Sequence, residues 1–180
     1  PKPSGEAVTD DEEKPWLVLD ARDLSKENRV KPAIFPKILS ETGEIIYEPG
    51  NVDETAIIKR GMARYVVSEE PMEGLVSQKD SVERILERAG FIIKTGEAVA
   101  GEPEKRGKRK NYIVKDVKQA QGLMNTNLLI SAADTQDLKS EDASSRILKQ
   151  CRVIVIVSSP IGGIEGRIQR FLAKIPDDIR

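Results

Sequence analysis

Histidine is absent from the 180 residues, and cysteine occurs once, as Cys151. The first absence removes Ser-His-Asp triads, Cys-His pairs and histidine-ligated zinc. The second removes an intrachain disulfide and any cysteine-cluster metal site. Aromatic residues make up only 4% of the chain, which leaves few rings to stack on bases or sugars. The longest apolar run, Val153 to Val157, falls far short of the roughly 20 residues a membrane-spanning helix needs. Neither sign of charge dominates: 29 basic and 30 acidic residues leave a net charge of −1, so no global field draws nucleic acid or an anionic membrane. Carboxylate catalysis and an Asp/Glu magnesium site need no histidine, but no spacing of acids marks either. The expectation is a chain without enzyme activity, metal or cofactor.

What is present fits one domain with charged arms. Charged residues reach 33% and apolar ones 38%, below the usual globular share, in a chain long enough to bury a core. Residues 1–15, rich in proline, glycine and acids, are expected to form a flexible leader. Residues 16–158 read as a single domain, with an inserted segment at about 77–110. Residues 159–180 read as a glycine-rich hinge followed by an amphipathic helix.

Within the domain, Trp16 to Leu19 reads as a buried strand. Ala33 to Leu39 and Glu44 to Glu48 read as the arms of a hairpin turning at Ser40 to Gly43. Pro36 lies inside the first arm, which makes that arm an edge or bulged strand. Asn51 and Glu54 have the spacing of a capping box, opening a helix whose apolar face carries Ile57, Ile58, Met62, Tyr65 and Val66. Ser77 and Asp80 repeat that logic ahead of the stripe Val82, Ile85, Leu86 and Ala89, which Gly90 stops. Asn111 to Gln121 favours strand over helix because Tyr112, Val114 and β-branched neighbours open it. Leu128 to Ile130 is a further strand, and Ser131 with Asp134 caps a helix towards Ser145. Arg152 to Val157 is a β-branched run of the kind buried on both faces. The last strand–helix–strand unit fits a parallel crossover. The resulting fold class is α+β: a small mixed sheet with an edge hairpin, one βαβ crossover and helices packed on one face.

Two segments offer candidate interaction surfaces. Lys105, Arg106, Lys108, Arg109 and Lys110 crowd five cations into one run, which reads as a solvated loop or as a contact for an acidic neighbour in an assembly. No aromatic interleaves them, so nucleic acid is not the expected partner. Ile164, Ile168, Phe171 and Leu172 form the stripe of the C-terminal helix, which can dock on its own domain or on another subunit. Ser158 to Gly163 lacks phosphate-loop spacing and reads as a hinge. Asp20 and Arg22, straddling a strand end, read as a structural charge pair.

Several motifs in fixed order resemble a family of secreted or lipid-anchored bacterial envelope proteins related to flagellum-associated outer-membrane lipoproteins. They are Leu19-Asp20-Ala21-Arg22-Asp23-Leu24, Lys31 to Leu39, Gly43 to Tyr47, Arg60-Gly61-Met62-Ala63-Arg64-Tyr65, Ile113 to Ser131, and Leu148 to Val155. Asp23 stands where that family carries glycine, the segment at about 77–110 is additional, and no lipid-bearing cysteine precedes the domain. The resemblance implies a non-catalytic scaffold in the periplasm or at the outer membrane, forming homo-oligomers or joining a larger envelope complex. It implies no catalytic residues, and a lipid anchor would lie upstream of Pro1. The rival expectations are a binding module holding polysaccharide or peptidoglycan between the hairpin and the helices, and a carboxylate-dependent hydrolase.

Overall fold

The computed structural model describes residues 14–68, 81–91 and 111–159. The leader expected at 1–15 (all but its last two residues), most of the 77–110 segment, and the hinge and helix beyond Ser159 lie outside that range.

Seven strands form one mixed sheet in the order β3-β2-β6-β5-β1-β7-β4. Four of them run parallel: β5 (Tyr112–Gln121), β1 (Trp16–Asp20), β7 (Val153–Ser158) and β4 (Arg64–Ser68). β6 (Asn127–Ile130) pairs antiparallel with β5, β2 (Ile38–Ser40) parallel with β6, and β3 (Ile45–Tyr47) antiparallel with β2. β5 joins the two halves. Its first residues pair with β1, its last with β6, and the register shifts between Val117 and Gln119. Such a bulge bends the strand and lets one ribbon serve two directions.

The apolar runs explain the layers. Leu17 and Leu19 of β1, with Val153, Val155 and Val157 of β7, face one cluster; Val18, Ile154 and Ile156 face another. Alternation along each strand thus gives two buried faces, as the unbroken β-branched sequence of β7 requires. The first cluster receives α3 (Ala132–Ser145) through Leu138, and Ile57 of α1 (Glu54–Arg60) packs against it. The second receives α2 (Val82–Arg88) through Ile85 and Leu86. Helices therefore cover both faces, not one as expected. The reason is that β1 and β7 are apolar at all but their last positions, Asp20 and Ser158, and cannot leave a face to water.

The mixed sheet and its edge hairpin are as the sequence indicates, with details corrected. The turn at Ser40 to Gly43 is present, with Gly43 at φ +83° and its N–H donating to the Ser40 carbonyl at 2.8 Å. The edge, however, is β3. Pro36 stays outside β2, which has partners on both sides and a bulge between Ile38 and Leu39. The helix expected from Asn51 starts at Glu54 with Asp53 as N-cap, because Pro49–Asn51 forms its own 3₁₀ turn. It stops at Gly61, whose φ of +72° a side chain would strain. Tyr65 and Val66 belong to β4, not to that helix. Ser81 caps α2 by accepting from the Arg84 N–H, and Ser77 and Asp80 lie outside the described residues. The parallel crossover is also elsewhere. β6 opposes β5, which runs with β1 and β7, so the strands flanking α3 point in opposite senses. Parallel strands instead flank α1 (β3 and β4) and α2 (β4 and β5), the latter lying inside the segment expected to be an insertion.

The sheet curls round the first cluster. The hydroxyl of Tyr47, on edge strand β3, donates to the carbonyl of Met62, just ahead of the opposite edge strand β4, at 2.6 Å. Tyr47 and Met62 are both buried.

Candidate interaction surface

Cys151 is buried, and burial pushes its thiol pKa up, so a reactive thiolate is disfavoured. Burial, with the Cys151 thiol beside it, likewise pushes the Tyr47 hydroxyl up. Asp20 meets Arg22 through a fork: Nε donates to Oδ1 at 2.8 Å and Nη2 to Oδ2 at 2.6 Å. The pair closes the end of β1, where the Ser158 hydroxyl donates to the Arg22 carbonyl at 3.2 Å. This geometry supports the structural reading of that pair.

The carboxylates of Glu27 and Asp134 both have lowered pKa values. Glu27 is lowered by a backbone hydrogen bond and the Ser25 hydroxyl. For Asp134, burial acts to raise it, but the Ser131 hydroxyl and Lys115 ammonium outweigh burial. A carboxyl serving as general acid needs the opposite displacement.

The exposed apolar side chains are the informative ones. Most single exposed hydrophobics carry no message. Here four lie on two segments joined to each other by backbone hydrogen bonds. The turn joining β5 to β6 carries Leu123, as exposed as in an open chain, and Met124, more than half exposed. Gly122 at φ +88° and Asn125 at φ +53° make this turn tight, and the Asn125 N–H closes it on the Gly122 carbonyl at 3.1 Å. The segment before β2 is tied to the turn at both ends: Lys31 N–H donates to the Asn125 carbonyl at 3.0 Å, and Leu128 N–H donates to the Lys37 carbonyl at 2.8 Å. Between these anchors stand Ile34, 79% exposed, and Phe35, 56% exposed. The Asn125 side chain also holds the Glu27 carbonyl at 2.9 Å, fixing the preceding loop against the same turn.

Ile34, Phe35, Leu123 and Met124 thus project from neighbouring, hydrogen-bonded loops. Ile34 and Phe35 read from sequence as part of a hairpin arm, but they lie in the segment before β2, and Leu123 and Met124 fall in a turn without periodicity. The available signal was two consecutive large apolar residues directly after Gly122, where turns ordinarily carry polar side chains. The nine residues singled out from the sequence, Lys105, Arg106, Lys108, Arg109, Lys110, Ile164, Ile168, Phe171 and Leu172, all lie outside the described residues. No group of metal-ligating side chains occurs among the described residues, and none of their helices is long and apolar enough to cross a membrane.

A family model described as the second domain of Treponema pallidum Tp0624 matches residues 16–159. The chain belongs to that bacterial family. The match runs from the first residue of β1 to just past β7, so it takes in every strand of the sheet and the hairpin tip. Family membership therefore attaches to the whole curled sheet with its helices. No curated protein matches the chain.

Proposed function

We propose that this Tp0624-family domain is a non-catalytic structural module of a bacterial envelope assembly, acting by self-association through its apolar tip. The observation that carries the reading is the exposed quartet Ile34, Phe35, Leu123 and Met124 on two loops clamped together by hydrogen bonds. Large apolar side chains held outward on a rigid support lose little further conformational freedom on contact, which favours association. Membership of a family named for a treponemal protein supports a bacterial setting. The motif order shared with envelope lipoproteins related to the flagellum supports placing the module in the periplasm or at the outer membrane, within a homo-oligomer or a larger complex.

The test is the mass of the chain in solution and its neighbours in cross-linked envelopes. Light scattering after size exclusion is expected to show an oligomer that dissociates with dilution. Leu123→Asp combined with Phe35→Asp should weaken association by about tenfold or more while circular dichroism stays unchanged. A strictly monomeric chain at tens of micromolar, with no cross-linked neighbour, would remove the proposal.

A further inference from the structure

Arg64 opens β4 and lies on the second face of the sheet, in register with Ile154. Its guanidinium carbon stands 5.4 Å from the centroid of the Trp16 ring and 5.6 Å from that of Phe91. Those rings meet edge to face, with centroids 5.7 Å apart and planes at 71°, so together they make a corner. Both rings lie within cation–π distance of the guanidinium and hold it in place. Arg64 is exposed, and its side chain makes no hydrogen bond or ion pair with another described residue.

A second cation shares the same indole. Arg152, buried to 2% exposure, stands 5.4 Å from the Trp16 centroid and spends Nη1 on the Lys14 carbonyl at 3.0 Å. On this face the Glu83 carboxylate accepts from the Tyr112 hydroxyl at 2.6 Å. Arg64 is therefore positioned without a carboxylate partner among the described residues, with a second guanidinium against the same indole.

We infer that Arg64, backed by Trp16, Phe91 and Arg152, is the recognition point for a planar or tetrahedral oxyanion, a carboxylate or phosphoryl group presented by a ligand of this domain. A guanidinium fork meets such groups with two parallel hydrogen bonds. The ring corner supplies apolar surface for whatever carries the anion. This site is separate from the apolar tip and goes beyond the structural role proposed above.

Trp16 is the chain's one tryptophan, so its fluorescence reports on this corner alone. The full chain is titrated in parallel with inorganic phosphate and with glutarate, and sodium chloride at matched ionic strength is the reference. A saturable change in emission is expected with at least one of the two anions and not with chloride. Saturation by glutarate alone assigns a carboxylate ligand, and by phosphate alone a phosphoryl ligand. Arg64→Lys keeps the charge and loses the fork, and should move the midpoint by about tenfold or more. Leu123→Asp should leave the titration unchanged, whatever becomes of self-association. Wild-type curves that merely follow sodium chloride, or an Arg64→Lys curve that coincides with the wild type, would overturn the inference.

Discussion

Lys115 stands on β5 facing α3, with its ammonium 3.1 Å from Asp134 and 3.1 Å from Asp137. Burial alone would lower its pKa, but hydrogen bonds and attraction from Asp137 and Asp134 prevail and raise it. A raised lysine pKa contributes stability that is complete below the unfolded value near ~10.4 and is lost as pH climbs through the folded one. Asp134, lowered, contributes stability present above its unfolded value near ~3.9 and lost as pH falls through the folded one. The pair thus supports the fold between about pH 4 and pH 10. Lys115→Met is expected to cost about 0.5–1 kcal/mol at neutral pH, the range for a partly screened pair. Urea unfolding should show the difference at pH 7 and a smaller one in acid, as Asp134 takes up its proton. An equal loss at both pH values would mean that only packing is involved. At this scale, local partners were legible and distant ones were not. Ser131 and Asp134 cap a helix three residues apart, whereas Arg64 and Trp16 meet only because β7 sets β4 and β1 on either side of it.

α3 shows what a cap is worth where packing is thin. Thr135 and Leu138 are its buried side chains. The Ser131 hydroxyl accepts from the Asp134 N–H at 3.0 Å and donates to Asp134 Oδ2 at 2.7 Å. Ser131→Ala should destabilise the protein by about 1 kcal/mol, and Ser131→Gly by only a few tenths, as measured by urea unfolding followed by circular dichroism. Matching losses in the two variants would contradict the capping account. Elements with one unambiguous signal were readable: the β-branched run of β7, the Ser131 cap, the Tyr112-led β5. The junction of α1 and β4 was not, because Ile57, Met62 and Tyr65 fit helical spacing about as well as they fit a helix that ends at Gly61 and a new strand. Backbone φ at Gly61 decides, and a sequence does not display it.

The whole molecule depends on closure of its curled sheet. Tyr47→Phe keeps the ring and leaves the buried Met62 carbonyl without its donor, at a cost of about 1–3 kcal/mol. Cys151, buried beside Tyr47, gives the readout: its labelling by a thiol reagent requires opening. Labelling should accelerate by about fivefold to a hundredfold in Tyr47→Phe, following the lost stability. An unchanged rate would show that the bond between the two edges contributes nothing to closure. Strand senses at this scale escaped the sequence because α3 returns to a strand three places across the sheet, with β5 and β1 between. The parallel pairing of β1 with β7 also has a mechanical consequence. These strands are the first and last of the domain, hydrogen-bonded side by side from Leu17 opposite Val153 to Asp20 opposite Ile156. Tension transmitted through the chain would enter at the Trp16 end of one and leave at the Ser158 end of the other, at opposite poles. It would load all the bonds of that seam simultaneously in shear instead of peeling them in succession, so a domain built this way holds under a pull along its chain.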